Sequence, residues 1–203
     1  MELYCLPGGI LNANTYVLYQ EGSDSAVIID PTDFDNLDAF LIRKNLHPIA
    51  ILLTHGHFDH VSGMIDTARH YDIPVYLHSG DVPMLSDPQL CGLRLFFPDA
   101  AFEPWYEVST VTDGQVLSLG GITVQVFSTP GHSPGSVCYL VEEHLFSGDT
   151  LFKRGYGRTD LWGGSMRALL TSVDRLKKMD SALLIHPGHG DATTIGEEFR
   201  YKR

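Results

Sequence analysis

The sequence has few cysteines, few basic residues and no long apolar run, and each shortage excludes a class of protein. Three cysteines, Cys5, Cys91 and Cys138, form no CxxC pair, which argues against a disulfide scaffold and for a reduced, cytoplasmic protein. Lys and Arg number 14 against 25 Asp and Glu, and the net charge of −11 disfavours contact with a phosphate backbone. No apolar stretch is long enough to span a membrane. We therefore expect a protein that binds neither nucleic acid nor membrane.

The rest of the composition is that of a globular chain with one core. The 203 residues are 43% hydrophobic, and no linker divides them, so we expect a single domain over residues 1–203. Apolar periodicity predicts, in order, strands within 3–30, helix 35–46, strand 49–53, helix 60–71, strand 73–77, hairpin 116–127, strands 137–141 and 144–147, helix 165–179 and strand 182–185. Two halves that each mix strands with helices indicate an α/β (α+β) fold with two packed sheets and helices outside.

Residues 79–110 resist this periodic analysis. They contain several prolines and, within 93–106, a concentration of aromatic side chains. We expect a short helix at most, followed by irregular chain. Two interpretations of the aromatic residues stay open. We favour a loop that closes over the core, and the alternative is an aromatic wall of a substrate cleft.

Residues 54–60, with the sequence THGHFDH, place four potential metal ligands directly after a buried strand. His55 and His57 point the same way in an extended segment, so they can bind one ion together. Asp59 and His60 follow as the chain turns into a helix, and they face a different point. Because imidazole and carboxylate are ligands of divalent metals, this loop predicts a metal site.

Three further candidates follow later strands, each beside glycine. They are His132, Asp149 and His189. Together with the first motif they supply five His and two Asp, a set that suits two ions sharing one carboxylate. We assign His55, His57 and His132 to the first ion, Asp59, His60 and His189 to the second, and Asp149 to the bridge between them.

This ligand set predicts a hydrolytic chemistry. Two ions about 3.5–4 Å apart lower the pKa of a water held between them and polarise a substrate carbonyl, so no Ser or Cys nucleophile is needed. Asp59 has a second predicted role as the catalytic residue that orients the attacking water and passes its proton onward.

The motifs THGHFDH, TPGHSPGS, SGDTLF, GYGRTD and HPGHG, in this order and spacing, resemble those of the metallo-β-lactamase superfamily. Within it the chain most resembles the short, single-domain glyoxalase II-like hydrolases, from about residue 5 to about residue 200. The resemblance implies a four-layer αββα sandwich with a dinuclear site at one edge. It also implies two divalent ions, zinc first with iron or manganese as alternatives, and hydrolysis of a small-molecule thioester such as S-lactoylglutathione.

The chain departs from full-length glyoxalase II in two respects. We expect no C-terminal helical domain of the kind that supplies glutathione contacts, because the sequence ends at Arg203. Arg158 stands where many relatives place a glutathione-binding Lys. We predict that Arg158 binds the substrate, since a guanidinium can grip a carboxylate with two hydrogen bonds, and the alternative is a structural pair with Asp160.

Other functions stay open at this point. The first alternative is a mononuclear-iron persulfide dioxygenase, which would use only His55, His57, His132 and Asp149. A phosphodiesterase or nuclease is disfavoured for long nucleic acids by the acidic charge. A β-lactamase and a non-catalytic metal-binding module are further alternatives, and the latter would need closed coordination.

Overall fold

The computed structural model of the protein describes residues 1–200, which form two six-stranded sheets. The first sheet contains β1 (Glu2–Pro7), β2 (Asn14–Tyr19), β3 (Ser25–Ile29), β4 (His47–Leu52), β5 (Val75–His78) and β6 (Val108–Val111), adjacent in chain order. The strands from β1 to β3 pair antiparallel, whereas those from β3 to β6 pair parallel.

The second sheet is built from the other half of the chain. It contains β7 (Val116–Leu119), β8 (Ile122–Ser128), β9 (Val137–Val141), β10 (His144–Gly148), β11 (Leu184–Pro187) and β12 (Thr193–Thr194), again adjacent in chain order. All neighbours pair antiparallel except β10 and β11, which are parallel.

The helices are α1 (Phe34–Lys44), α2 (Phe58–Val61), α3 (Met64–Tyr71), α4 (Leu93–Phe96), α5 (Met166–Leu176) and α6 (Ile195–Phe199), with 3-10 helices at Ile10–Asn12 and Ser79–Leu85. Each long helix has a local start signal: the side chain of Asp33 accepts from the Asn36 amide at α1, and that of Ser165 from the Ala168 amide at α5. Ser165 is therefore the N-cap of α5, and the helix predicted over 165–179 begins at the next residue.

Three apolar layers hold the four layers of backbone together. Buried side chains such as Leu52, Val126 and Phe146 pack between the sheets. Leu41 of α1 and Met64 of α3 belong to a cluster on the outer face of the first sheet. A third cluster joins α5 and α6 to the outer face of the second sheet. The structure is the predicted αββα sandwich, with each sheet covered by helices on one face.

The structure corrects three element predictions. The helix expected over 60–71 is two helices, α2 and α3, because the chain breaks where Gly63 passes the start of α1. A Cβ on Gly63 would lie 2.8 Å from the Phe34 nitrogen, and the Gly63 amide donates to the Pro31 carbonyl instead. The strand β6 begins within the segment 79–110, where the prolines had led us to expect irregular chain. The short β12 and α6 also escaped the periodic analysis.

The aromatic segment 93–106 has two kinds of environment. Phe102 and Leu93 pack against Phe58 and the buried Cys91. The rings of Phe96 and Phe97 also lie beside Phe58, with centroids 5.4 and 5.9 Å from its own, but they expose 38% and 43% of their surface. One part of the segment therefore closes over the core as favoured above, while another part faces outward. Within the described residues, no helix is both long enough and apolar enough to cross a membrane.

Candidate metal centre

The ends of four strands converge on one point between the two sheets. The residues of THGHFDH, here called the metal loop (residues 54–60), run from the end of β4 into α2. His132 follows β8, Asp149 follows β10 and His189 follows β11. Ligand sites of α/β folds commonly lie at the carboxyl ends of strands, as these residues do.

Two hydrogen bonds between the sheets fix the metal loop against the second sheet. The Val137 amide donates to the Thr54 carbonyl at 2.8 Å. The Tyr139 hydroxyl donates to the Leu53 carbonyl at 2.9 Å, and both tyrosine and carbonyl are buried. Residues nearly ninety positions apart are thereby held in register at the site.

The predicted first group is together in space. One ligand atom from each of His55, His57 and His132 lies within 4.8 Å of the others, and all three residues are buried. Nδ1 of His57 and Nε2 of His132 are 2.8 Å apart. These three imidazoles can bind one ion.

The predicted second group is also together. Ligand atoms of Asp59, His60 and His189 lie within 4.8 Å of one another. Nε2 of His60 is 3.3 Å from Nε2 of His189, which is 3.2 Å from Oδ2 of Asp59. Nε2 of His60 lies 3.9 Å from Oδ2 of Asp59. Ligands about 2.05 Å from a tetrahedral ion are roughly 3.3 Å apart, so these three side chains are close enough to bind one divalent ion.

Asp149 lies between the two groups. Its Oδ1 is 3.3 Å from Nε2 of His60, and its Oδ2 is 3.5 Å from Nε2 of His132 and 3.7 Å from Nε2 of His189. A single carboxylate therefore contacts ligands of both groups. All seven residues predicted as ligands meet here.

The residues fit a pair of ions on two further observations. Nε2 of His55 is buried without a hydrogen-bond partner, and an unsatisfied buried polar atom is costly unless something else binds it. The absence of a side chain at Gly188 makes room for the Asp149 carboxylate and the His60 ring. A Cβ on Gly188 would overlap Asp149 Oδ1 and lie 2.5 Å from the His60 ring. The buried His and Asp clusters are consistent with a binuclear metal site.

Electrostatics divide the histidines into two kinds. Burial and the neighbouring His132 lower the pKa of His57 to about 3, and burial with His60 and His132 lowers that of His55 well below its usual value. Burial also opposes charge on His60, but the carboxylates of Asp149 and Asp59 outweigh it and raise the pKa of His60 well above its usual value. His55 and His57 are therefore neutral imidazoles ready to donate a lone pair.

The family assignment follows from the same residues. The sequence profile of the metallo-beta-lactamase superfamily matches residues 8–189, a span that contains all seven clustered side chains. The chain belongs to the metallo-β-lactamase superfamily. Both the predicted superfamily and the predicted fold are thus confirmed.

Two relatives that are similar to this chain over most of its length carry names that describe an activity. The chain is 37% identical to "Probable metallo-hydrolase YqgX" of Bacillus subtilis, over 94% of this chain and 90% of that protein. It is 28% identical to the hydroxyacylglutathione hydrolase GloC of Haemophilus influenzae, over 98% of this chain and 96% of that protein.

Two solved structures of the superfamily superpose closely. BLEG-1, a B3 metallo-beta-lactamase, aligns with a TM-score of 0.93 at 40% identity, over 98% of this chain and 97% of that chain. TTHA1623 in a di-iron-bound form aligns with a TM-score of 0.86 at 37% identity, over 97% of both chains. A di-iron site in so similar a structure is in keeping with a pair of ions here, while the metal of this chain stays a prediction.

Asp30 is a residue of the site that the sequence analysis treated only as the end of a strand. Its buried carboxylate accepts from the Thr54 hydroxyl at 2.6 Å and pairs with Nδ1 of His60 at 3.0 Å. The Thr54 oxygen in turn lies 3.0 Å from Nδ1 of His55. Nδ1 of each ring is thus held from the side of Asp30, directly for His60 and through Thr54 for His55, so Asp30 orients two of the predicted ligands.

Asp81 is the second residue that the sequence analysis missed. It is fully buried in the 3-10 helix after β5. Its Oδ2 accepts from the Gly56 amide at 3.0 Å and the Ser133 hydroxyl at 2.6 Å, and its Oδ1 accepts from the Gly135 amide. Burial raises the pKa of Asp81, although these bonds oppose the shift. Asp81 joins the metal loop to the His132 loop.

Replacing Asp81 with Asn is expected to weaken binding of the first ion by about 10–100-fold, the usual effect of removing a partner that orients metal ligands. The amide would direct a donor at groups that are themselves donors. Chelator competition measures the affinity at each site. Asp38→Asn, which alters a carboxylate on α1 that accepts from Tyr71, is the matched control. Equal weakening of both ions, or none, would contradict the assignment.

Arg158, predicted to bind the substrate, takes part in two contacts. Its guanidinium donates to Asp160 through Nε at 2.7 Å and Nη2 at 2.8 Å, while about half of its side chain stays exposed. Its backbone carbonyl lies 2.8 Å from Nδ1 of His132 and fixes the tautomer of that ring. The pair with Asp160 is therefore formed, and substrate binding by Arg158 stays a prediction.

Proposed function

We propose that the protein is a metal-dependent hydrolase that cleaves thioesters. The observation that carries this proposal is the contact of one carboxylate, Asp149, with ligands of both metal groups. When bound, two divalent ions supply Lewis acidity toward a carbonyl and lower the pKa of water. The name of GloC, a hydroxyacylglutathione hydrolase, supports a thioester as the substrate class, and that of YqgX supports hydrolysis.

The side chains have separate tasks in this proposal. Asp59 is a carboxylate whose pKa is lowered, since the charge of His60 and the hydrogen bond from His189 outweigh its burial. It is therefore an acceptor at working pH and can orient an attacking water. The positions of His55 and His60 are held by Asp30, and that of His132 by the Arg158 carbonyl. The protein thus presents a preorganised set of ligand atoms to the ions.

The persulfide dioxygenase alternative explains less of the structure. A single iron bound by His55, His57, His132 and Asp149 would leave the second group without an ion to bind, although its three side chains are brought together. The likeness to BLEG-1 makes a β-lactam the second candidate substrate, because opening a lactam and cleaving a thioester both begin with attack on a carbonyl.

The test of this function combines metal analysis with a substrate panel. Purified protein is analysed for zinc, iron and manganese, then assayed with lactoyl and acetyl thioesters of glutathione, coenzyme A and N-acetylcysteamine, and with a cephalosporin. Two metal ions per chain and faster cleavage of thioesters than of the cephalosporin are expected. One iron per chain with persulfide-dependent oxygen uptake would contradict the proposal.

Replacing Arg158 with Ala is expected to raise the KM for an anionic thioester more than it lowers kcat, because the guanidinium acts in binding. The matched variant is Asp160→Asn, which releases the guanidinium from its partner and is expected to lower the same KM. Steady-state kinetics with a glutathione thioester measure both. An unchanged KM in both variants would give Arg158 a structural role only.

A further inference from the structure

An apolar pocket lies beside the metal loop, and none of the seven clustered residues lines it. Its volume is about 520 Å³, within the range of small-molecule sites. The walls come from the 3-10 helix at residues 10–12, from α2 and α3, and from residues 91–105. The side chains that matter here are Phe58, Ile65, Leu93, Phe97, Phe102 and Trp105.

The pocket and the metal loop share a wall. Phe58 stands in the loop between His57 and Asp59, and its amide donates to the Cys91 carbonyl at 3.1 Å. At the next residue, Gly92, a Cβ would lie 3.8 Å from the Phe58 ring and 4.0 Å from the His57 ring. Gly92 therefore lies against both the pocket wall, at Phe58, and a predicted metal ligand, His57.

The polar groups at the pocket indicate the charge of the ligand that it would bind. Ser62, Asp66 and Glu103 are the lining residues with polar side chains, and among residues 1–200 no Lys or Arg lines it. Glu103 is paired with Arg69, whose Nη2 lies 2.6 Å from its Oε1, so Asp66 is the other carboxylate at the pocket. One such carboxylate and several aromatic rings disfavour an anionic ligand and favour an uncharged apolar one. The exposed Phe96 and Phe97 beside the pocket also form an apolar surface of the kind that marks a binding site.

We propose that this pocket receives the uncharged aliphatic acyl chain of the thioester substrate. The inference rests on the proposed function and narrows it: acyl thioesters of medium chain length are better substrates than short hydroxyacyl thioesters. Each methylene removed from water contributes about fourfold in affinity, so the preference accumulates as the chain lengthens.

The test uses metal-loaded protein and N-acetylcysteamine thioesters with unbranched acyl chains of increasing length. Wild-type kcat/KM is expected to rise about fourfold per methylene until the pocket is full. A chain that ends in a carboxylate is expected to lose this gain. Ketone analogues, in which a methylene replaces the thioester sulfur, bind without being cleaved. Their binding is followed by the fluorescence of Trp105 in a Trp162→Phe background, which leaves one tryptophan.

The pocket variant is Ile65→Phe, which adds volume to a lining residue on α3. Its matched control is Ile42→Phe, the same substitution at a side chain on α1 that is 70% exposed. Ile65→Phe is expected to flatten the dependence of kcat/KM on chain length, whereas Ile42→Phe is expected to keep that dependence. Thermal melting checks folding, and Ala100→Leu fills the same pocket if Ile65→Phe melts early.

The outcomes separate this inference from the proposed function. Efficient cleavage of thioesters with no dependence on chain length would overturn the pocket assignment and leave the hydrolase intact. Ketone binding that quenches Trp105 and is lost in Ile65→Phe, with no thioester cleaved, would support the pocket's preference for apolar chains and refute the thioesterase. No change in Trp105 fluorescence with any ketone would overturn the pocket assignment.

Discussion

Replacing Asp149 with Ala is expected to remove both metal ions and to lower hydrolytic activity on the order of 10³-fold or more. The carboxylate contacts Nε2 of His60 from one oxygen and Nε2 of His132 and His189 from the other. Its loss removes a ligand from each group and a negative charge from between five imidazoles. The measurement is metal content per chain after gel filtration, together with kcat/KM for a thioester.

The control for this variant is Asp174→Ala, which removes an exposed carboxylate from α5. It is expected to keep both ions and full activity. The sharpest contrary result would be a folded Asp149→Ala protein with near-normal metal content, because a shared ligand cannot be dispensable to both ions. Loss of one ion only would assign Asp149 to a single group.

Removing the metal from the wild-type protein is expected to lower its Tm by about 20 °C. A ligand present at a thousandfold its Kd stabilises the folded state by about 4 kcal/mol, and two sites contribute about twice that. For a chain of this size each kcal/mol corresponds to about 2–4 °C. Without ions, the buried Nε2 of His55 also lacks a hydrogen-bond partner.

The measurement is thermal melting with excess zinc and after dialysis against a chelator. The Asp149→Ala variant provides the comparison, since it is expected to melt at the same temperature in both conditions. A wild-type Tm that differs by only a few degrees between the two would show that the seven residues bind metal weakly or not at all.

The sequence alone predicted which seven side chains come together, because each of them follows a strand and has a glycine nearby. The run 54–60 follows a buried strand, and His132, Asp149 and His189 repeat that placement. Periodicity also located most strands, with ends displaced by a few residues. These signals are local, so one sequence is enough to detect them.

Asp30 and Asp81 were not predictable in this way. Asp30 acts on Thr54 and His60, and Asp81 acts on Gly56 and on residues 133–135, so each function exists only after distant segments meet. The strand β6 was missed for a related reason. Its residues pair with β5 across a segment of more than twenty-five residues rich in proline, and tertiary pairing overrode the local pattern.

The position of the last ligand has a consequence for how the protein acquires its metal. His60 and His189 are separated by 129 residues, yet their Nε2 atoms are 3.3 Å apart. At the usual pace of translation, roughly 6–26 s pass between the synthesis of the two. During this interval the second group, Asp59, His60 and His189, lacks one of its three side chains, whereas every residue of the first group has already been made. The choice of metal at the second group would therefore fall after the synthesis of His189 and would depend on the ions that the cell then offers.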